Sequence, residues 1–254
     1  MRLQLVNRIG APATLHNVVA TIRGRELPNE TILLGAHLDS WDLGTGANDN
    51  GGNVTMLIDV ARGMVQTKAR PRRSVQFVLF SGEEEGLLGS YAFTRDHKGE
   101  LGALRAVAIF DIGSGRTTGF FMGGQREWIP VLDEVLAPVA TLAPQTHLSD
   151  PIDGTDNFDF FLSGVPNLVA NQDAVPYLPD YHAESDTFDK VDAREAHVNA
   201  AIASALAWGL AERGELPLQR QPRSAVEKLI VDYKLESQMR AFGQWEEWGA
   251  GKRG

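Results

Sequence analysis

The amino-acid sequence predicts an α/β fold, a three-layer α/β/α sandwich built on a mixed, mostly parallel central sheet. Short β-rich apolar runs alternate along the chain with longer segments of helical periodicity, which is typical of α/β layering. Several short runs are apolar on both faces, as strands of a buried central sheet must be. A chain of 254 residues with 43% hydrophobic composition can bury one large core. We therefore expect one domain over residues 1–214, with a linker and a C-terminal helix, residues 215–254, packed on it.

The predicted strands are short apolar runs rich in β-formers. They are Leu3 to Ile9, Asn17 to Ile22, Thr31 to Ala36, Ser74 to Phe80, Arg105 to Phe110, Gly119 to Met122 and Asn167 to Ala170. The predicted helices span residues 86–97, 126–142, 192–213 and 223–246. A further helix follows the glycine-rich loop at 44–52, because apolar residues recur there at three- and four-residue spacing. These are Val54, Leu57, Ile58, Ala61, Met64 and Val65.

Charge and composition exclude several classes of function. The formal net charge of -9 and the pI near 5.2 disfavour nucleic acid and anionic membrane as partners, because the long-range field repels polyanions. The chain has no cysteine, so it can form neither a disulfide nor a thiolate metal site nor a cysteine nucleophile. Any metal must therefore be held by His, Asp and Glu. No apolar run approaches the roughly 18 residues of a transmembrane helix.

A histidine and an acid follow the apolar run that ends near residue 36. In open α/β sheets, functional groups gather beyond the carboxyl ends of strands, which makes this a favourable place for a ligand. Because side chains alternate along an extended chain, Asp39 lies on the same face as His37 and can accept its second imidazole N–H. A His-x-Asp pair by itself is more typical of an ordinary polar loop.

The glycine-rich loop at 44–52 carries one carboxylate, Asp49, in its middle. Such loops are usually plain turns, and a phosphate cradle is an alternative. No Gly-Lys-Ser/Thr follows, and Asp49 would repel an anionic ligand. The loop therefore favours a cation.

Three consecutive acids, Glu83, Glu84 and Glu85, follow the strand that ends at Phe80. Acids near the positive end of a helix dipole are the ordinary explanation. A cation would relieve their mutual repulsion more completely. A metal ligand at Glu84 beside a general base at Glu83 is the division of roles that a hydrolytic metal site needs.

Two further residues complete the pattern. Asp111 follows the predicted strand 105–110, and His182 lies in a polar loop before the helix at 192–213. Either residue alone is more typical of a structural role. Together with the three preceding motifs they indicate a metal site.

These motifs resemble those of the two-zinc exopeptidases, a family that includes the bacterial leucyl aminopeptidases and plasma glutamate carboxypeptidase. The resemblance covers roughly residues 14–210 and is closest to the latter branch. The matching residues are Gly35 to Asp42, Gly46 to Asp49, Gly82 to Leu87, Gly89-Ser90, Asp111, Gly164 to Pro166, His182 and Asp186-Thr187.

The resemblance implies a role for each matched polar residue. It implies five ligands of two Zn²⁺ ions: His37 and Asp111 for one ion, Glu84 and His182 for the other, and Asp49 as the carboxylate that bridges both. It also implies that Glu83 is the general base and that Asp39 orients the ring of His37. These roles agree with the physical argument, because His and carboxylate ligands suit Zn²⁺. The residue after the bridging acid is usually acidic in the family and is Asn50 here.

The resemblance further implies a short peptide as substrate, hydrolysed at a terminal bond in the manner of an aminopeptidase or a dipeptidase. Asp156, Tyr177 and Tyr181 are candidates for contacts with that peptide. Asp156 lies in a loop that borders the pocket in the family, where it would either support a metal ligand or contact the amine of the substrate. A plain turn residue is the alternative. An aromatic body with a polar tip suits a pocket wall, and simple packing of the loop is the alternative for both tyrosines.

Two other functions are compatible with the same fold. A noncatalytic binding domain would not need to keep five ligands and a base, so their presence favours an enzyme. The single-zinc glutaminyl cyclases share much of the ligand set and form pyroglutamate from N-terminal glutamine. Metal stoichiometry and product analysis discriminate the cyclase from the peptidase.

The resemblance also predicts a truncated front end. In close relatives a helical segment, the start of the catalytic domain and an inserted domain precede the position equivalent to Leu3. An uncovered sheet edge or apolar surface promotes association, so we expect a homo-oligomer. The opening residues lack a signal-peptide pattern, so the chain itself does not indicate a location. By resemblance, a longer precursor of this chain would be secreted or periplasmic.

Overall fold

A computed structural model describes Gln4, Val6 and residues 8–254 of the chain. In this part of the chain six strands form one sheet: β1 (Val18–Ile22), β2 (Leu27–His37), β3 (Arg73–Phe80), β4 (Leu104–Ile109), β5 (Thr117–Phe121) and β6 (Asn167–Gln172). Their order in the sheet is β1-β3-β2-β4-β6-β5. The four central strands are parallel, and the outer strands β1 and β5 pair antiparallel. The predicted mixed, mostly parallel sheet is confirmed.

Eight α-helices surround the sheet in the described residues. They are α1 (Gly52–Gln66), α2 (Leu88–Asp96), α3 (Ile129–Leu136), α4 (Asn157–Leu162), α5 (Ala193–Glu212), α6 (Arg223–Asp232), α7 (Glu236–Ala241) and α8 (Gln244–Gly249). Helix α5 begins at Asp192, whose carboxylate accepts the N–H groups of Arg194 and Glu195 and so caps the first turn. No described helix combines the length and the apolar composition needed to span a membrane.

Alternating residues of the central strands pack into two separate cores. Ile32 and Leu34 of β2 belong to a cluster that includes the apolar residues of α1, α3 and α5. Leu33, between them, belongs to a cluster on the other face with Phe93 of α2 and Phe160 of α4. Because strand side chains alternate, this arrangement places helices on both sides of the sheet. The three-layer sandwich is confirmed.

The predicted C-terminal helix was wrong in one respect. Residues 223–246 form α6, α7 and the start of α8 instead of one helix, because the backbone adopts a left-handed conformation at Lys234 (φ 57°) and Gly243 (φ 71°). We refer to residues 223–254 as the C-terminal segment. It packs on α4 through an apolar cluster that is separate from the two sheet cores. The division of the chain at residue 215 stays a prediction.

Other differences from the sequence expectations are local. The predicted helix over 126–142 is the shorter α3 flanked by two 3₁₀ turns, and helix α4 was not predicted. On α1, Ile58 and Val65 are exposed, because the row from Met56 to Met64 faces the sheet instead. The predicted strand over 3–9 falls on a stretch in which residues 3, 5 and 7 lie outside the described residues.

The edge strand β1 bears on the expected association. Val18 and Val19 are half-exposed at this edge of the sheet, where β1 pairs with β3 on its other side. An exposed edge with apolar side chains is a surface on which another strand can pair. The homo-oligomer stays a prediction.

Candidate metal centre

The parallel strands bring the predicted ligands to one edge of the sheet. His37 is the last residue of β2, while Glu83 and Glu84 follow β3 and Asp111 follows β4. The strands are in register at this end, since His37 pairs with Phe80 of β3. The carboxyl ends of parallel strands meet at one edge, which is where ligands bind in open α/β sheets.

The ligand side chains form two pairs joined by one carboxylate. The Nε2 atom of His37 lies 2.8 Å from Asp111 Oδ1, and the Nε2 atom of His182 lies 3.0 Å from Glu84 Oε2. Asp49 lies between them, with Oδ1 3.1 Å from His37 Nε2 and Oδ2 3.5 Å from His182 Nε2. Each oxygen of Asp49 therefore faces a different pair, as a carboxylate that bridges two cations must.

Glu83 lies in the same cluster, beside the pair formed by His37 and Asp111. Potential ligand atoms of Glu83, His37 and Asp111 all lie within 4.8 Å of one another. Burial and the neighbouring carboxylate of Asp111 raise the pKa of Glu83 to about 10. In the metal-free protein this carboxyl therefore holds a proton at neutral pH, and cations in the cluster would favour its ionised form.

The crowded acids fit a pair of divalent cations. Burial and the carboxylate of Asp49 raise the pKa of Glu84 to about 8, and burial likewise raises the pKa of Asp111. Although burial opposes charge on the ring, the carboxylates of Asp111 and Asp49 raise the pKa of His37 well above its usual value. Glu84 Oε1 is buried without a hydrogen-bond partner among the described residues. His nitrogens and carboxylate oxygens without thiolates are a donor set that suits Zn²⁺.

Two aspartates hold the loops that carry these ligands. The carboxylate of Asp186 accepts the N–H groups of Asn48 (2.7 Å) and Asp49 (3.0 Å) and so fixes the bridging loop. Sequence reasoning gave Asp186 no role, although it lies within a matched motif. The carboxylate of Asp39 accepts the N–H groups of Glu83 and Glu84, each at 3.2 Å.

The predicted contact of Asp39 with His37 is made by a different atom. His37 Nδ1 lies 2.9 Å from the main-chain carbonyl oxygen of Asp39, whereas the Asp39 carboxylate lies 3.8 Å away. The carboxylate is turned away because it accepts the main-chain N–H groups of the loop after β3. The ring of His37 is still oriented by residue 39, but through the backbone.

Asn50 contacts a ligand directly. Its Nδ2 atom donates to Asp111 Oδ1 and to the carbonyl oxygen of Phe110, both at 2.9 Å. Asn53 donates in turn to Asn50 Oδ1 at 2.7 Å and contacts Gln172 of β6. Sequence reasoning missed this buried amide network. The Asn50-x-x-Asn53 spacing at the start of a helix was the available indication, since residues three apart share one helix face.

A cavity of about 720 Å³ opens onto the cluster. Tyr177 and Tyr181 both line it, as predicted for a pocket wall. The hydroxyl of Tyr177 donates to Asp49 Oδ2 at 2.9 Å, so this tyrosine also orients the bridging carboxylate. Tyr181 stacks on the ring of His182 with 3.7 Å between centroids.

Asp156 is not on the cavity wall. It precedes α4, a helix whose residues are all buried, and its own side chain is fully buried behind the loop that ends at Thr155. The full burial of this side chain does not favour a direct contact with substrate, and the role of Asp156 stays a prediction.

Four residues of the C-terminal segment also line the cavity, and sequence reasoning missed them. They are Gln238, Ala241, Phe242 and Gln244, referred to below as the C-terminal wall. They lie more than 50 positions after the last predicted ligand, and the sequence contains no motif that places them near the site.

Histidine nitrogens and carboxylate oxygens at the carboxyl edge of an α/β/α sheet form a donor set that suits divalent metal ions. The sequence profile of peptidase family M28 matches residues 17–207, and the chain belongs to that family.

Relatives support this assignment. Carboxypeptidase Q from Rattus norvegicus is 30% identical over 200 residues, which are 79% of this chain and 42% of the relative. The chain thus spans less than half the length of that relative. A crystal structure of a peptidase M28 precursor from Shewanella amazonensis is 29% identical, with a TM-score of 0.74 over 81% of this chain and 47% of the other.

More distant structures share the fold alone. The zinc aminopeptidase BSAP from Bacillus subtilis is 18% identical, with a TM-score of 0.66 over 79% of this chain and 51% of the other. A glutaminyl cyclase from an Acidobacteriales bacterium is 18% identical, with a TM-score of 0.64 over 78% of this chain and 74% of the other.

Proposed function

We propose that this chain is a two-zinc exopeptidase that removes the N-terminal residue from short unblocked peptides. The observation that carries the proposal is the carboxylate of Asp49, whose two oxygens face two separate His–carboxylate pairs. His37 and Asp111 would hold one ion, and His182 and Glu84 the other. When bound, such ions lower the pKa of water towards neutrality and polarise a carbonyl group.

The residues of the chain supply the proton transfers and the orientation. Glu83 removes a proton from the attacking water and returns it to the departing amine, since it lies in the cluster without being needed as a ligand. Asp39 holds the main chain of Glu83 and Glu84, which keeps base and ligand in fixed relation. Tyr177 holds Asp49 in its bridging orientation.

The charges around the cavity support recognition of the amino end of the peptide. Among the described residues that line the cavity, none is lysine or arginine, so a substrate carboxylate would find no cationic side chain. Glu85 and Asp153 lie on the wall and can accept from an ammonium group. This distribution favours aminopeptidase action, including action on dipeptides, over removal of a C-terminal residue.

Hydrolysis of matched peptides tests the proposal. The zinc-loaded protein is assayed on a dipeptide, its N-acetyl derivative and its C-terminal amide. We expect cleavage of the free and amidated peptides and no cleavage of the acetylated one. Cleavage of the acetylated peptide, or loss of cleavage on amidation, would contradict recognition of the amino end.

Metal analysis separates the peptidase from the cyclase alternative. We expect close to two zinc ions per chain by elemental analysis after zinc loading, because five ligands with one bridging carboxylate fit a pair. One ion per chain, with pyroglutamate formed from glutaminyl peptides, would assign the chain to cyclase chemistry.

A further inference from the structure

The C-terminal wall lies outside the range of residues matched to the family. That range ends at residue 207, whereas Gln238, Ala241, Phe242 and Gln244 come from α7, α8 and the turn between them. This part of the cavity therefore lies beyond the range that the family match covers. Its residues are candidates for substrate contacts that the metal ligands do not provide.

The C-terminal segment is held in place by an apolar cluster that does not include the residues of the C-terminal wall. Nine buried side chains form its apolar cluster: Leu87, Phe158, Phe161, Leu162, Val226, Ile230, Leu235, Met239 and Trp248. Leu87 belongs to the loop after β3, so the segment packs directly on the chain that follows Glu83 and Glu84. The segment therefore does not need its cavity-lining residues in order to pack.

Arg253 ties the end of the segment to the same loop. Its guanidinium donates to both carboxylate oxygens of Asp159, each at 3.0 Å, and to the carbonyl oxygen of Gly86 at 3.2 Å. It also lies 4.5 Å from the ring centroid of Tyr91 on α2. Because Nη1 contacts the carboxylate and Nη2 contacts the carbonyl, this buried guanidinium is fixed in both position and orientation. These contacts fix the position of the C-terminal wall relative to Glu83.

In the C-terminal wall, one apolar side chain is largely exposed, and one buried polar atom has no hydrogen-bond partner among the described residues. Phe242 is 58% exposed, although its neighbour Met239 is fully buried in the cluster. Gln244 is 3% exposed, yet its Oε1 atom has no hydrogen-bond partner among the described residues. An apolar surface with one convergent polar group is the usual composition of a small-molecule subsite.

We propose that the C-terminal wall is a specificity subsite, in which Phe242 contacts an apolar side chain of the peptide and the amide of Gln244 bonds a peptide main-chain group. The proposal rests on the peptidase function proposed above. Phe242 selects among substrates by burying apolar surface. Gln244 binds peptides irrespective of their side chains.

Selectivity of a Phe242→Ala variant tests the apolar contact. The variant and the wild type are assayed on dipeptides that carry Leu or Gly at each position in turn. We expect the preference for Leu over Gly to fall about tenfold or more at one position, since hydrophobic pockets discriminate by such factors. A ratio of two kcat/KM values does not depend on the fraction of active protein. Val231→Ala, an exposed apolar change in α6 outside the cavity, is the matched control.

The main-chain contact is tested by Gln244→Leu, which keeps the size of the side chain and removes its hydrogen bonds. We expect KM to rise several-fold for Leu and Gly peptides alike, with kcat little changed. Unchanged selectivity in Phe242→Ala would overturn the apolar contact. Unchanged KM in Gln244→Leu would overturn the amide contact.

Direct binding separates failure of the subsite from failure of the proposed function. Calorimetry measures the Kd of the Leu and Gly dipeptides on zinc-loaded Glu83→Gln protein, with and without Phe242→Ala. We expect Phe242→Ala to weaken binding of the Leu peptide selectively, whether or not the wild type hydrolyses it. If the wild type does not hydrolyse the peptides but Phe242→Ala selectively weakens binding of the Leu peptide, only the proposed peptidase function is rejected. An unchanged Kd of the Leu peptide in the Phe242→Ala variant would reject the subsite.

Discussion

The ligands and the C-terminal wall are two sides of one cavity, and they are built differently. The predicted ligands come from strand ends and loops between residues 37 and 182, and their side chains lie 2.8–3.5 Å from one another. The C-terminal wall comes from short helices at residues 238–244, held by an apolar cluster and one buried ion pair. In the function proposed here, the first region carries the reaction and the second selects the peptide.

Because the two regions are built differently, mutations in them should have different effects. Changing a ligand or the base removes an interaction that the chemistry requires, so catalysis should fall steeply. Changing the C-terminal segment alters packing or shape, so stability and selectivity should change while the metal centre keeps its composition.

The largest effect is expected for the base. Glu83→Gln should lower kcat by at least 10²- to 10⁴-fold, the range typical of general acid–base catalysis, because Gln cannot take up the proton. Both metals should stay bound. The matched variant Glu84→Gln should lose zinc first and activity in consequence, because an anionic ligand is removed. Metal analysis beside kinetics distinguishes them. Equal loss of zinc in both variants would show that Glu83 is a ligand and that Glu85 must be considered as the base.

The next effect is expected for the anchor of the C-terminal segment. Arg253→Met should lower the free energy of unfolding by about 3–5 kcal/mol, the range found when one partner of a buried ion pair is removed. Burial already raises the pKa of Asp159 to about 6 in spite of the attraction of Arg253. Without that cation the carboxyl is more costly to ionise, so the loss should be larger at pH 8 than at pH 5.

Denaturant unfolding at both pH values checks this prediction. The control is Arg240→Met, which removes exposed ion pairs with Glu236 and Glu246 and should change stability by less than about 1 kcal/mol. If both variants lost the same small amount, the anchoring role of Arg253 would be disproved.

The last expected effect is on the pH dependence of stability and concerns Asp156, a fully buried residue at the start of α4. Burial raises its pKa to about 8 from a usual value of 3.8. Between these values the folded state holds a proton that the unfolded state has lost, so stability falls as pH rises. One such group contributes a slope of up to about 1.4 kcal/mol per pH unit.

Unfolding of the metal-free protein between pH 5 and pH 8 measures that slope. Asp156→Asn should reduce this slope by up to about 1.4 kcal/mol per pH unit, the contribution of one group. The neighbouring buried carboxyls should still contribute the rest of the slope. Asp59→Asn, an exposed change on α1, serves as the control. An unchanged slope in Asp156→Asn would mean that Asp156 is already ionised in the folded state.

Much of the site was predictable because the sheet carries it. Strands with alternating or continuous apolar residues end at His37 or shortly before Glu83 and Asp111, and parallel strands must place those ends at one edge. The pattern cannot say which atom of a residue makes a contact. From the sequence, the Asp39 carboxylate was therefore expected to contact the ring of His37. In the structure it accepts hydrogen bonds from the main-chain N–H groups of Glu83 and Glu84.

The sequence by itself determined the fold class, the donor types and the order of the ligands along the chain, because periodicity and strand ends are local properties. The tertiary structure alone decided that Asp186 holds the bridging loop and that Phe242 and Gln244 line the cavity. These are contacts between segments separated by more than 100 residues. The place of Phe242 and Gln244 depends on how the C-terminal segment packs on α4. Packing of that kind follows from shape and volume in three dimensions, which no local pattern encodes.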